Sequence, residues 1–129
     1  MKANNPVVWF EIYVDDLKRA QQFYEKVFKI EISELPMPET ESGDMKMLFF
    51  PMEMNGEGAA GALVKMEGVK AGGNSTLVYF GSQDCAIEES RVVDAGGTIV
   101  QSKHSIGEYG FMVLAHDTEG NKFGIHSQA

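Results

Sequence analysis

The sequence predicts an α+β chain of two similar βαβββ halves in tandem, and three observations carry that expectation. Residue types alternate from Val7 to Val14 as in a strand. An amphipathic helical pattern follows at once. The same strand-then-helix plan begins again near Ser75, so that sliding the first half forward by 67 or 68 positions lays like on like. With 129 residues, 43% of them hydrophobic, the chain supports one core and has no room for a second domain. We therefore read 1–129 as a single domain, with modules at about 6–68 and 74–128.

Along the first strand, Trp9, Glu11 and Tyr13 face one way and Phe10, Ile12 and Val14 the other. Asp15-Asp16 supplies helix-capping chemistry, and Leu17, Ala20, Phe23, Tyr24, Val27 and Phe28 recur at three- and four-residue spacing, a helix of about three turns. Its stripe is expected on the Phe10, Ile12 and Val14 side. Ile30 to Leu35 reads as a short strand ended by Pro36-Met37-Pro38, and Glu39 to Asp44 as a mobile loop. Met45 to Pro51 and Gly58 to Met66 read as strands around the turn-rich Asn55-Gly56-Glu57-Gly58, and the half closes near Gly72-Gly73-Asn74.

In the second half, a strand to Phe80 precedes Asp84 as N-cap, a helix carrying Ile87, Val92 and Val93, and a Gly96-Gly97 stop. Strands are expected at Thr98 to Lys103, Gly110 to Ala115 and Lys122 to Ser127. Asp117-Thr118-Glu119-Gly120-Asn121 marks the last hairpin, since Asp bonds back to the backbone and Gly accepts positive φ.

Composition narrows the functional classes. A net charge of −8, with no basic run, disfavours nucleic acid and anionic membrane surfaces. Apolar stretches are strand-sized, far short of the roughly 20 residues of a membrane span, and Met1 to Pro6 does not read as the start of a signal peptide. The lone Cys85 forms no internal disulfide, which agrees with a reducing compartment. A cytoplasmic location is the expectation. Cys85 follows the cap Asp84, but Asp84, Glu88 and Glu89 oppose a lowered thiol pKa, so a catalytic cysteine is not expected. The glycines follow no nucleotide-binding spacing.

Val14-Asp15-Asp16-Leu17-Lys18-Arg19-Ala20 running into Phe23-Tyr24-Glu25-Lys26-Val27-Phe28, then Ala95-Gly96-Gly97, then Asp117-Thr118-Glu119-Gly120-Asn121-Lys122-Phe123-Gly124, resembles the vicinal oxygen chelate superfamily of glyoxalases, bleomycin resistance proteins and extradiol dioxygenases. The resemblance implies two modules whose sheets curl around a cleft. It also implies homodimers, whose pairing would cover exposed sheet edges. It does not fix a function, because the superfamily includes isomerases, lyases, dioxygenases, epimerases and non-catalytic drug-binding proteins.

Metal-dependent members hold a divalent ion through His and Glu side chains on the first and last strands of each module. The corresponding positions here are Trp9, Thr76 or Leu77, the stretch Ala62 to Lys65, and Gly124, none of them a suitable donor. No metal or other cofactor is expected. Glu11 and His126 each stand one strand period from a lost ligand, so a displaced site joined by His104 or His116 is the alternative. Glu11 beside Trp9 and Tyr13 is the candidate catalytic acid or base, its pKa expected to rise on burial, with His126 as partner. A purely ligand-orienting or structural hydrogen bond is the other reading of Glu11. Trp9, Tyr13, Tyr79, Met112 and Leu114 are candidate substrate-binding walls for flat or hydrophobic ligands. Met37, Met45, Met47, Met52, Met54 and Met66 supply either an adaptable surface or simple gap filling.

The expected function is thus a metal-independent, glyoxalase-like small-molecule-binding protein, with lyase or isomerase chemistry on a small carbonyl or aromatic compound open to it. A metal-dependent lyase or dioxygenase with relocated ligands, and a non-catalytic sequestering protein, are the alternatives.

Overall fold

The computed structural model describes residues 7–35, 45–53, 55–74 and 76–129. The loop expected at Glu39 to Asp44, together with Met37 and Met54, lies outside the described residues. The elements run β1 (Trp9–Tyr13), α1 (Leu17–Phe28), β2 (Met45–Phe49), β3 (Ala60–Met66), β4 (Val78–Gly81), α2 (Cys85–Val92), β5 (Thr98–Ser105), a 3-10 turn at Gly107–Tyr109, β6 (Phe111–His116) and β7 (Lys122–Ser127). They form a three-stranded sheet in the order β1-β3-β2 and a four-stranded sheet in the order β4-β7-β6-β5. In each sheet the strand before the helix pairs in parallel with the last strand of its half, β1 with β3 and β4 with β7. The tandem α+β plan is therefore present, with one strand fewer in the first half among the described residues.

The segment expected as that strand is held mainly by α1. Ile30 to Leu35 contributes a single bridge, Ser33 to Phe49. The N–H of Ile32 instead donates to Glu25 Oε2 at 2.9 Å, and its carbonyl accepts from Gln21 Nε2 at 2.8 Å. Two side chains of α1 thus satisfy the Ile32 backbone on the edge away from β2, while the Ile32 side chain is buried in the core.

Both helices begin where the sequence places them. Asp16 Oδ1 accepts the N–H of Arg19, and Asp84 Oδ1 accepts the N–H of Ala86, so each carboxylate satisfies a donor left free by the first turn. The stripe of α1 is buried as expected at Ala20, Phe23, Tyr24 and Val27. The stripe of α2 differs from expectation. Cys85 and Val92, seven positions and two turns apart, face inward, whereas Ile87 is 48% and Val93 65% exposed.

The core joins the two halves. Tyr24 of α1 is fully buried, and its ring lies 5.0–6.3 Å from those of Phe23, Phe28, Phe50, Phe80 and Phe123. Phe80 and Phe123 belong to the second half, so the first-half helix fills a space that the second-half sheet walls. Burial of each such ring stabilises by about 2–3 kcal/mol, and the tilted and edge-on pairs add to that. No helix among the described residues is long and apolar enough to cross a membrane.

Candidate functional site

Strands β1 and β4 are edge strands of their sheets, and residues of both line one cleft of about 1080 Å³. Alternation along β1 sends Ile12 into the core and leaves Trp9, Glu11 and Tyr13 on the open face, as their spacing implies. Trp9, Tyr13 and Tyr79 all line the cleft.

Glu11 is the polar centre of that face. Trp9 Nε1 donates to its Oε2 at 3.2 Å and Tyr13 Oη donates to its Oε1 at 2.8 Å, so each oxygen has one donor. The bond to Glu11 raises the Tyr13 phenol above its ordinary range, with some burial and the carboxylate's charge adding to it. A carboxylate held in this way offers its remaining lone pairs to a ligand in the cleft. The burial expected at Glu11 is not found, for the residue is exposed. Its environment is set by the two donors, and not by exclusion of water.

The second half presents a different surface at the corresponding place. Val14 N–H donates to Val64 O and Ser82 N–H to His126 O, and with the caps Asp16 and Asp84 these fix the offset between halves at 68. Leu77 then corresponds to Trp9, and Tyr79 to Glu11. Tyr79 pairs with Gly124 across the parallel ladder, and a Cβ on Gly124 would overlap Cδ2 and Cε2 of the Tyr79 ring. The ring therefore lies directly over the glycine. Beside it is a second hollow, about 400 Å³, lined by Tyr79, Phe80, Gly81, Ile106, Met112 and His126.

His126 and Glu11 do not meet by hydrogen bond. His126 Nε2 lies 2.7 Å from the Tyr109 carbonyl, and the two residues line separate hollows that share Tyr79 and its strand neighbours Phe80 and Gly81. Met112 pairs with His126 and lines the smaller hollow. Leu114 pairs with Gly124 and lines neither of the two cavities. His104 pairs with Met112, with its Nδ1 3.1 Å from the Ser102 carbonyl, and His116 lies at the far end of β6 opposite Lys122. Cys85 is fully buried and its thiol belongs to the core.

The residues present do not fit the divalent ion that the superfamily resemblance implies. Trp9 and Leu77 carry no ligating atom, and Ala62, Leu63 and Val64 of β3 are buried apolar side chains. Position 124 has no side chain, and the Tyr79 ring takes its space. Among the described residues no three His, Cys, Asp or Glu side chains converge.

A set of residues that the sequence marked as a turn and as a helix start, without a role at the site, fixes the frame of the cleft. The turn between β6 and β7 inserts into the first half: Glu119 Oε1 accepts the N–H groups of Asp15 and Asp16 and binds Arg19 together with Oε2. Asp117 Oδ2 accepts from the buried Tyr24 hydroxyl at 2.8 Å, and Oδ1 accepts the N–H groups of Glu119 and Asn121. Asn121 Nδ2 donates to the carbonyl of Tyr13, and its Oδ1 accepts from Gly72 N–H. The end of β1, two residues beyond Glu11, is thereby tied to the second half. The sequence signal was present: an acid inside an Asp-x-x-Gly turn, and an Arg three residues after a helix cap.

This architecture defines a class: an α+β protein with the glyoxalase and bleomycin resistance fold and a cleft between its modules. Comparison with known proteins agrees. A family model described as bleomycin resistance protein-like N-terminal matches residues 7–40. No curated protein matches the sequence. Among solved structures, a hypothetical protein from S. aureus superposes with a TM-score of 0.71 at 18% identity, over 97% of this chain and 95% of that one. An antibiotic binding protein from Streptomyces sp. CB03234 gives 0.67 at 19%, over 100% of both chains. A glyoxalase I mutant from Zea mays gives 0.72 at 20%, over 95% of this chain and 46% of that chain. The resemblance read from the Arg19-Ala20, Phe23-Tyr24 and Asp117-to-Asn121 motifs thus holds for the fold along nearly the whole chain.

Proposed function

We propose that the chain is a small-molecule-binding protein that takes its ligand in the β1–β4 cleft without a metal ion, with Glu11 meeting a hydrogen-bond donor or an acidic proton of that ligand. The observation that carries this reading is the Glu11 carboxylate held open to the cleft by Trp9 and Tyr13. The likeness in fold to an antibiotic binding protein supports binding. The likeness to a glyoxalase I leaves open a lyase or isomerase step on a small carbonyl or aromatic compound. In such a step Glu11 takes the proton, and His126 acts on the part of a ligand that reaches past Tyr79 into the smaller hollow. A cytoplasmic homodimer is the setting we propose, in which pairing of two copies would cover exposed sheet edges.

Trp9 is the chain's single tryptophan, so its emission reports directly on the cleft. A panel of small carbonyl and aromatic compounds is titrated against chelator-treated protein, and at least one is expected to change Trp9 emission. Glu11→Gln is expected to weaken that response about tenfold, as loss of a charge-assisted hydrogen bond does. Turnover abolished with binding retained makes Glu11 catalytic, and binding without turnover in both proteins makes the chain a sequestering protein. Binding that leaves Trp9 emission and the Glu11→Gln titration unchanged places the ligand elsewhere and overturns the reading.

A further inference from the structure

We propose that Tyr79 sets the ligand class of this cleft, by presenting the outer face of its ring as a stacking platform for planar aromatic compounds; this rests on the cleft being the ligand site. One side of the ring lies over Gly124, where a Cβ would overlap it, and the residue is nonetheless 46% exposed. The ring is therefore supported from beneath and open above. Its hydroxyl lies 3.9 Å from Met112 Sδ, a weak contact that steadies the far edge. Tyr79 also borders both the main cleft and the smaller hollow, so a flat ring system laid on it has space on either side.

The relation between the halves sharpens the chemistry. At the position where the first half offers Glu11, the second half offers an aromatic face, and Ala62 and Gly124 are their small cross-strand partners. A ligand spanning the two meets an acceptor at one end and a ring at the other. The fitting class is a planar ring system bearing a hydrogen-bond donor. Gly124 is then glycine because any side chain there would lift the platform.

Riboflavin tests this, being a neutral planar tricycle with N–H and O–H donors whose fluorescence is quenched on stacking against tyrosine or tryptophan. Wild-type protein is expected to quench it saturably. Tyr79→Phe should keep the affinity within about twofold, while Tyr79→Leu and Gly124→Ala should each weaken it about tenfold, the first by removing the ring and the second by displacing it. Tyr79 is exposed whereas Gly124 is buried beneath its ring, so unchanged thermal melting is required of both variants to show that the fold is retained. Equal quenching by wild-type and Tyr79→Leu protein would overturn the platform, as would no quenching at all. The Trp9 titration with small carbonyl compounds then shows separately whether the cleft reading stands.

Discussion

Arg19 and Glu119 close a two-bond contact between the halves, Nε to Oε2 at 2.7 Å and Nη2 to Oε1 at 2.8 Å, although a hundred residues separate them in sequence. The Glu119 side chain is wholly buried and the Arg19 side chain half exposed. Glu119 also accepts two backbone donors at the start of α1, so it acts as a second cap delivered from the other module. Its removal leaves those donors and a guanidinium without their partner. Glu119→Ala is expected to cost about 2–3 kcal/mol of stability. Arg19→Ala should cost less, since Glu119 keeps its backbone partners and Arg19 faces water. Urea unfolding of the two variants and the double variant measures this, and additive losses would show that the contact contributes nothing.

The same contact makes stability depend on pH with a definite sign. Burial pushes the Glu119 carboxyl up, but hydrogen bonds from Arg19, Thr118 and the Asp16 and Asp15 N–H groups outweigh it and hold the pKa at about 2. A depressed folded pKa gives stability that is full above the unfolded value, near 4.5, and lost as pH falls toward 2. Asp117 works the other way. Desolvation raises its pKa despite bonds from Tyr24, Asn121 and Glu119, so its share is full at low pH and lost as pH rises through the raised value. The stability difference between wild-type and Arg19→Ala protein should therefore narrow as pH falls from about 4.5 toward 2. A constant difference over that window would show that Arg19 does not hold Glu119 ionised.

Tyr24 ties the aromatic core to the same turn. Its hydroxyl pKa is raised well above the ordinary phenol value by burial and by the neighbouring Asp117 charge. Tyr24→Phe keeps the ring contacts and removes a single donor, leaving Asp117 Oδ2 with Asn121 Nδ2 at 3.2 Å. The expected cost is about 1–2 kcal/mol, together with a further rise in the Asp117 pKa. Chemical denaturation at two pH values checks it: a loss that is larger at neutral than at acid pH is expected, because the charged carboxylate is the form that needs the donor.

The helices and the final hairpin were legible because their signals are local. Asp16, Asp84 and the Asp117-to-Asn121 turn each act on donors within four residues, and the α1 stripe has one period throughout. Ile30 to Leu35 misled because its apolar residues suit a strand, while the groups that bind its backbone, Gln21 and Glu25, lie on the helix before it. Ile87 and Val93 misled in the same way, since hydrophobic type does not fix which side of a short helix faces inward. At the site, parity alone placed Trp9, Glu11 and Tyr13 on one open face. Parity says nothing of depth, so the exposure of Glu11 and the separation of His126 from it were not readable. The placing of Tyr79 over Gly124 needed the register of two strands that lie 45 residues apart.

Metal content is the most direct test of a cleft that works without an ion. Protein purified without chelator is analysed for zinc, nickel, iron and manganese, as wild type and as Glu11→Ala/His126→Ala. Far less than one equivalent of any metal is expected in both. Near-stoichiometric metal in the wild type that falls away in the variant would contradict a metal-independent site and establish a centre with relocated ligands.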